Sequence, residues 1–164
     1  MGQGNIIGYE INEKTCQISF YNEEMAEPET MEVDADNYQI PLVIGKLRDT
    51  WAYGKEAKRL ASLKEGFTVN RLLDKSLAGE KIEFGEESYE AVWLLAKFIE
   101  LSLQSFPKIN GIVFSVPELT EELAQMLRGI AVRMNIDKRH IFHSGLQREF
   151  LQLSVLSAKR TLAV

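Results

Sequence analysis

The side chains that could perform chemistry in this chain include a run of carboxylates near its start. Between Asn22 and Asp36 there are seven acids and no base: Glu23, Glu24, Glu27, Glu29, Glu32, Asp34 and Asp36. Carboxylates bind divalent cations, but a calcium loop also needs a central glycine and a bidentate glutamate at its twelfth position. This run has neither feature. It therefore favours a solvated hairpin rim, with a divalent-cation site as the alternative.

Two histidines are the second group of candidates. His140 and His143 are three residues apart, and imidazoles can bind a transition metal, but such a site usually takes three or four protein ligands. The single cysteine, Cys16, is remote in sequence. The pattern favours two histidines at a strand end with ordinary hydrogen bonds, and no metal site is predicted. The sequence also lacks a Gly-x-Ser-x-Gly elbow, a Gly-x-Gly-x-x-Gly loop and a Walker motif, so it identifies no catalytic residue.

The elements that would position these side chains include one unusually apolar strand. Residues 111–116 are apolar on both faces, which is typical of a central strand in a covered parallel sheet. Pro117 has no N–H to donate and ends the strand. Thr120 can then cap a helix, and a short strand follows at 140–142. The helix would bury one stripe at helical spacing, which consists of Leu123, Met126, Leu127, Ile130 and Met134.

The rest of the chain predicts further strands and helices. The strands 5–11 and 15–21 should form a hairpin, because Asn12-Glu13-Lys14 reads as a tight turn. Other predicted strands are 30–33, 39–44 and 81–84. Predicted helices are 55–65, 69–78, 88–106, which would be the longest, and 145–159. We expect the strands 5–11, 111–116 and 139–142 to lie side by side in one mixed sheet of an α/β fold.

Length and composition are those of a globular protein. The chain has 164 residues, of which 45% are hydrophobic and 26% charged, so it can build a full core. A net charge of −5 argues against nucleic-acid binding, which needs a basic surface. One cysteine fits a reducing, cytoplasmic location. The sequence has no signal peptide and no long apolar window, so no membrane association is expected.

Several of these motifs, in this order, resemble the actin and heat-shock-chaperone ATPase superfamily. The residues that match are the strand end Val116-Pro117, the segment 129–136, the strand Ile141-Phe142, and the first hairpin over 5–18. Gly54-Lys55-Glu56-Ala57-Lys58 resembles the point at which a family helix begins. The resemblance implies a ribonuclease H-like mixed sheet flanked by helices, the first half of an actin-like ATPase fold. It implies one domain over 1–164, truncated from a longer protein.

The resemblance also implies where a nucleotide site would lie. In the family, the first hairpin holds ATP phosphates with glycine and hydroxyl residues, while an aspartate organises magnesium. Here Glu10 occupies the aspartate position, Asn12 the glycine position, and Glu13 and Lys14 the hydroxyl positions. Glu13 would bring negative charge to a polyanion, so a polar hairpin turn is the alternative for these residues. His143-Ser144-Gly145 stands where chaperone-type members have Asn-Glu-Pro, and Gln147 is the candidate substitute for the missing carboxylate.

Two functions follow from the resemblance. The first is a degenerate actin-like ATPase-type domain that acts as a noncatalytic binding or scaffold module and holds no cofactor by itself. The alternative is the N-terminal half of a genuine ATPase, whose ATP and magnesium site is completed by a missing second half. An unrelated α/β module remains a third possibility. The expected partners are another protein or the missing half, with a homodimer formed through the C-terminal helix at Phe150, Leu153 and Leu156.

Overall fold

The structure is a computed structural model that describes residues 4–22 and 27–145. Its chain groups into two compact units. Unit 1 comprises Met1–Ile11, Cys16–Gln39 and Phe106–Val164, and unit 2 comprises Asn12–Thr15 and Ile40–Ser105. The protein is mixed α/β, with a mixed sheet and helices, as the sequence predicts. The prediction of a single domain over 1–164 stays a prediction.

Six strands precede the first helix, and strands and helices are interspersed in the rest of the described chain. The strands are β1 Asn5–Ile11, β2 Thr15–Asn22, β3 Glu27–Thr30, β4 Ile40–Pro41, β5 Ile44–Leu47, β6 Thr50–Tyr53, β7 Phe67–Val69, β8 Lys81–Phe84, β9 Glu87–Glu90, β10 Ile109–Ser115 and β11 Ile141–Ser144. The helices are α1 Lys55–Leu63, α2 Leu72–Leu77, α3 Ala91–Ser102 and α4 Glu121–Arg133. A 3₁₀ turn covers Lys138–His140.

The sheet of unit 1 has the predicted arrangement. Its strands lie in the order β11, β10, β1, β2, β3. β10 is parallel to both β1 and β11, whereas β2 is antiparallel to β1 and to β3. The apolar strand β10 is therefore an interior strand, and the three segments predicted to be adjacent are adjacent. Both of these predictions are confirmed.

The core of unit 1 is built on the two central strands. Ile7, Tyr9 and Phe114 are fully buried, and the rings of Tyr9 and Phe114 meet edge to face with centroids 6.0 Å apart. Full burial of an aliphatic or aromatic side chain of this size contributes about 1.5–3 kcal/mol, which is why the uninterrupted apolar run forms an interior strand. The backbone groups of an interior strand pair with a neighbouring strand on each side. No side chain is needed to satisfy them, so the side chains of the strand can all be apolar.

Helix α4 begins where the sequence predicts. Thr120 has an extended backbone, and its Oγ1 accepts a hydrogen bond from the Leu123 N–H at 3.2 Å. The buried face of the helix consists of Leu123, Leu127, Ile130 and Ala131. Met126 and Met134, which we assigned to the same stripe, are only half-buried. The predicted cap is confirmed, and the stripe is shifted toward Ala131.

Unit 2 combines small sheets with helices α1 to α3. β5 lies between β6 and β7, and β8 pairs with β9, all antiparallel. Helix α3 buries Leu94, Leu95, Phe98 and Ile99, and the Phe98 ring meets Tyr53 edge to face at 5.8 Å. A second set of contacts joins aromatic rings around Trp51, which lies 5.5–6.4 Å by centroid from Phe84, Tyr89 and Trp93.

Several predicted boundaries in unit 2 are wrong. The predicted helix 69–78 is the strand β7 followed by the shorter helix α2, because Val69 pairs with Ile44 of β5. The predicted helix 88–106 begins only at Ala91, since Ser88 and Tyr89 pair with β8 across the turn at Gly85. With 12 residues, α3 is also shorter than α4, which has 13.

Two further segments differ from the sequence-based expectation. The predicted strand 30–33 is found as β3, three residues earlier in the chain, whereas the predicted strand 39–44 contains the two-residue strand β4 and ends where β5 begins. The predicted helix 145–159 lies, apart from Gly145, outside the described residues. Among the helices of the described chain, none combines the length and apolar character that crossing a membrane requires.

Candidate functional site

The turn between β1 and β2 is organised by the side chain of Asn12. Its Oδ1 accepts hydrogen bonds from the N–H groups of Lys14 and Thr15, at 2.8 and 2.9 Å. The Asn12 N–H in turn donates to the Thr15 carbonyl at 3.0 Å. Asparagine suits this position because its short side chain can bond to backbone two or three residues ahead. Two amide donors at the hairpin tip are thus already engaged within the turn.

Glu13 is directed at the start of helix α2. Its Oε1 accepts a hydrogen bond from the Asp74 N–H at 2.9 Å. Asp74 lies in the first turn of the helix, where N–H groups have no partner within the helix. The other carboxylate oxygen, Oε2, is buried and has no hydrogen-bond partner among the described residues. Glu13 therefore supplies from a distant turn the acceptor that a capping side chain would give.

Burial and charge both act on this carboxyl group. Burial raises the pKa of Glu13, and the neighbouring negative charge of Asp74 acts in the same direction. The hydrogen bond from the Asp74 backbone and the positive charge of Arg71 act to lower that pKa, without reversing the shift. Arg71 itself precedes α2 in a left-handed conformation, with φ 54°, and its guanidinium contacts Asp74 Oδ2 at 3.3 Å.

A cleft of about 680 Å³ lies beside the hairpin tip, within unit 2. Its apolar part is the segment Pro41, Leu42 and Val43. Its polar part consists of Glu13, Lys14, Thr15, Lys58, Asn70 and Arg71. The Leu42 N–H donates to the Lys14 carbonyl at 2.8 Å, which fixes the floor segment to the turn. The cleft has the size of small-ligand and peptide-anchor sites.

A row of polar residues crosses the sheet of unit 1. Glu10 of β1 is in register with Gln17 of β2 and Ser115 of β10, and Ser115 is in register with Ser144 of β11. Residues in register on adjacent strands face the same side of a sheet. Gln17 and Ser115 are buried, whereas Glu10 and Ser144 are half-buried. The row lies at the carboxyl ends of the parallel strands, where open α/β sheets commonly bind ligands.

The two histidines are placed differently. His143 stacks on Phe114 with centroids 5.8 Å apart, while His140 ends the 3₁₀ turn. Burial lowers the pKa of His143, and the positive charge of Arg128 adds to this, although a hydrogen bond to the Ala124 backbone opposes it. Among residues 4–22 and 27–145, no three His, Cys, Asp or Glu side chains converge as a metal site would require.

The structure divides the predicted site residues between the units. Glu10 belongs to the polar row of unit 1, whereas Asn12, Glu13 and Lys14 form the tip assigned to unit 2. Gln147 lies outside the described residues. Asn70 and Arg71 were not among the predicted site residues, because both lie inside the predicted helix 69–78. The polar residues Asn70 and Arg71 stand immediately before the apolar Leu72 and Leu73, and this pattern could have indicated that the helix begins at Leu72.

The chain belongs to a protein family whose function is unknown, the DUF5716 C-terminal family. A family model described as "Family of unknown function (DUF5716) C-terminal" matches residues 27–152, which is most of the sequence. No curated protein matches the chain. The family description names no activity.

Proposed function

We propose that this chain is a degenerate actin-like ATPase-type domain, with a ribonuclease H-like sheet, that works as a noncatalytic binding module. The fold part of the proposal is supported by the sheet of unit 1. There, an antiparallel first hairpin is followed by two later strands, β10 and β11, that run parallel to β1. The resemblance in sequence implies that arrangement of strands.

The main support for a noncatalytic role is that the backbone N–H groups of the first hairpin turn are already hydrogen-bonded within the turn. A phosphate cradle needs free backbone N–H groups that point toward the anion. Here the Lys14 and Thr15 N–H groups donate to Asn12 Oδ1. A carboxylate on Glu13 adds charge repulsion, which for two unit charges ~4 Å apart is about 4 kcal/mol at an effective dielectric constant of 20. Both features oppose tight binding of ATP.

The test is titration calorimetry with magnesium and ATP, combined with an assay for released phosphate. We expect no hydrolysis, and ATP binding no tighter than about millimolar, which corresponds to about −4 kcal/mol. Binding in the micromolar range would overturn the proposal. As a matched comparison, Asn12→Gly frees both amides, so any gain in affinity in that variant identifies Asn12 as the residue that blocks the anion.

One observation favours the alternative, an ATPase completed by a second half. The row of Glu10, Ser115 and Ser144 places a carboxylate and two hydroxyls at the carboxyl ends of parallel strands. Carboxylate and hydroxyl oxygens are suitable ligands for magnesium, directly or through water. The alternative requires a glycine-rich Asp-x-Gly hairpin from a second half. A longer form of this protein that contains such a hairpin and binds ATP only when it is present would establish it.

The location that we propose is the cytoplasm. The sequence contains one cysteine, and Cys16 is buried in the sheet of unit 1, so the fold uses no disulfide within the chain. Proteins without disulfide bonds are common in reducing compartments such as the cytoplasm. Imaging of a tagged copy in its own cells tests the proposal, and enrichment in a membrane or secreted fraction would contradict it.

A further inference from the structure

We propose that the cleft beside Lys14, Lys58 and Arg71 is a docking site for an acidic, partly apolar peptide segment of a partner protein. The inference rests on the proposed function, because it names the kind of partner that the binding module would take. The cleft measures about 680 Å³ and lies wholly within unit 2.

The charge of the cleft is opposite to that of the protein. Whereas the chain has a net charge of −5, the cleft is lined by three cations and one carboxylate, Glu13. The three cations come from separate elements: Lys14 from the hairpin tip, Lys58 from α1, and Arg71 from the residue before α2. All three are exposed, although the Arg71 guanidinium also contacts Asp74, so a partner carboxylate would share Arg71 with Asp74 and meet Lys14 and Lys58 directly. A local positive surface on an acidic protein selects an anionic partner.

The floor of the cleft is apolar and fixed. Leu42 is fully buried, and Pro41 and Val43 are half-buried beside it. Backbone hydrogen bonds hold this segment on two sides, from Leu42 N–H to the Lys14 carbonyl and from Gly54 N–H to the Val43 carbonyl. An apolar side chain that covers such a preformed floor gains burial at little cost in ordering the protein.

Arg71 is held in an unusual backbone conformation beside this floor. A non-glycine residue with φ 54° is uncommon, and such residues cluster at functional sites. The contact of Arg71 with Asp74, which itself donates its N–H to Glu13, ties the arginine to the hairpin tip. The guanidinium is thereby held at the edge of the cleft.

The occupant best matched to these features is a peptide with carboxylates on either side of an apolar side chain. The cations stand on three elements around the apolar floor, whereas a single small anion would need donors that converge on one point. The hairpin amides that could converge are bonded to Asn12. Carboxylates of an extended peptide can instead contact the cations separately while an apolar residue rests on Pro41 and Val43, the half-buried residues of the floor.

The experiment measures binding of a labelled hexapeptide that alternates glutamate with leucine, by fluorescence anisotropy on the full chain. We expect a Kd of about 10–100 µM. A peptide that alternates glutamine with leucine should bind at least about tenfold more weakly. Affinity should also fall as salt is raised from about 0.05 to 0.5 M, because exposed charges are screened. Equal binding of the glutamine peptide, or of one that alternates lysine with leucine, would overturn the inference.

Matched charge variants locate the site. Lys58→Gln should weaken binding of the glutamate peptide about threefold to fivefold, and Lys14→Gln with Lys58→Gln about tenfold or more. Lys81→Gln removes the same charge from an exposed residue of β8 that does not line the cleft, and it should change affinity less than twofold. Equal weakening by Lys81→Gln would assign the effect to overall charge and overturn the inference. Circular dichroism and the melting temperature of each variant establish that all are folded.

A competition with magnesium and ATP separates this inference from the proposed function. We expect ATP at micromolar concentrations to leave the peptide bound. If micromolar ATP displaces the peptide, the site is a nucleotide site and both proposals fail. If neither ATP nor the glutamate peptide binds, only the docking inference fails, and the noncatalytic assignment stands.

Discussion

At the scale of single residues, the hairpin tip shows how side chains can close a potential anion site. Asn12 takes two backbone donors for itself, and Glu13 takes the Asp74 N–H at the start of α2. Each arrangement gives a hydrogen-bond acceptor to backbone N–H groups in a turn or at the start of a helix, which is a sufficient structural reason for these residue types. Neither contact needs a ligand.

Glu13 provides the first prediction. Glu13→Gln keeps an oxygen that can accept the Asp74 N–H but removes a charge that burial disfavours, so we expect its stability at pH 7 to equal or exceed that of the unmodified chain. Glu13→Ala loses the acceptor as well and should cost about 0.5–2 kcal/mol. Urea denaturation of the three proteins gives the free energies of unfolding. A glutamine variant less stable than the alanine variant would contradict this account.

The pH dependence has a defined sign. Because the pKa of Glu13 is raised on folding, the folded state binds the proton more tightly than the unfolded state. The contribution of Glu13 to stability is therefore greatest below the unfolded pKa and falls as pH rises through the folded pKa. Glu13→Gln should remove this decline, which lies between the pKa of Glu13 in the unfolded chain and its raised pKa in the folded chain. Stability curves of both proteins that coincide across that range would show that Glu13 has no shifted pKa.

Cys16 provides the second prediction. Burial raises its pKa to about 12, although the Tyr9 hydroxyl acts in the opposite direction. The thiolate fraction at pH 8 is then about a thousandfold smaller than for an exposed cysteine, and the side chain is 1% exposed. We expect a thiol reagent to label the folded chain far more slowly than the urea-unfolded chain. Similar labelling rates in both states would show that the sheet of unit 1 opens readily.

At the scale of elements, the start of α4 depends on one hydroxyl. Thr120→Ala removes the acceptor of the Leu123 N–H and should cost about 1 kcal/mol of stability. Thr120→Ser keeps an oxygen in that position and should cost far less. Urea denaturation midpoints provide the measurement. Equal losses in the two variants would mean that packing of the threonine methyl group, rather than the cap, stabilises the helix.

Helix and strand boundaries show what the sequence could predict. The strands β1, β2 and β10 and the start of α4 were predicted within a few residues, because each has a local signal: alternation around Asn12, an apolar run, or a capping threonine. The start of α3 was predicted three residues early, because Ser88 to Glu90 continue an amphipathic pattern that suits a helix. Pairing with β8, a tertiary contact, makes them a strand instead.

The candidate sites were less predictable. The hairpin tip was recognised from its own residues, but its role in supporting α2 depends on a contact between Glu13 and Asp74, 61 positions apart in sequence. The cleft likewise combines four segments of the chain, and the left-handed backbone of Arg71 has no sequence signal, since arginine rarely adopts it. Contacts of this kind arise only once the elements are assembled.

At the scale of the whole molecule, the sequence predicts self-association. The segment 145–159, which apart from Gly145 lies outside the described residues, places Phe150, Leu153 and Leu156 at helical spacing, and large apolar patches tend to find a partner. We expect light scattering over a concentration series to show a dimer that Phe150→Glu weakens. A chain that stays monomeric at high concentration would refute this. A dimer that the substitution leaves intact would place the interface elsewhere.

The pairing of β1 with β10 has a consequence for biosynthesis. The two strands are neighbours in the sheet, yet Glu10 meets Ser115 only after about a hundred intervening residues have been made. At a translation rate of ~5–20 residues per second, the nascent β1–β2 hairpin waits on the order of 5–20 s with one edge unpaired. An unpaired apolar edge can join other chains. The edge of β1 is therefore made well before the apolar strand β10 that covers it, and we expect newly made chains to bind holding chaperones during this interval.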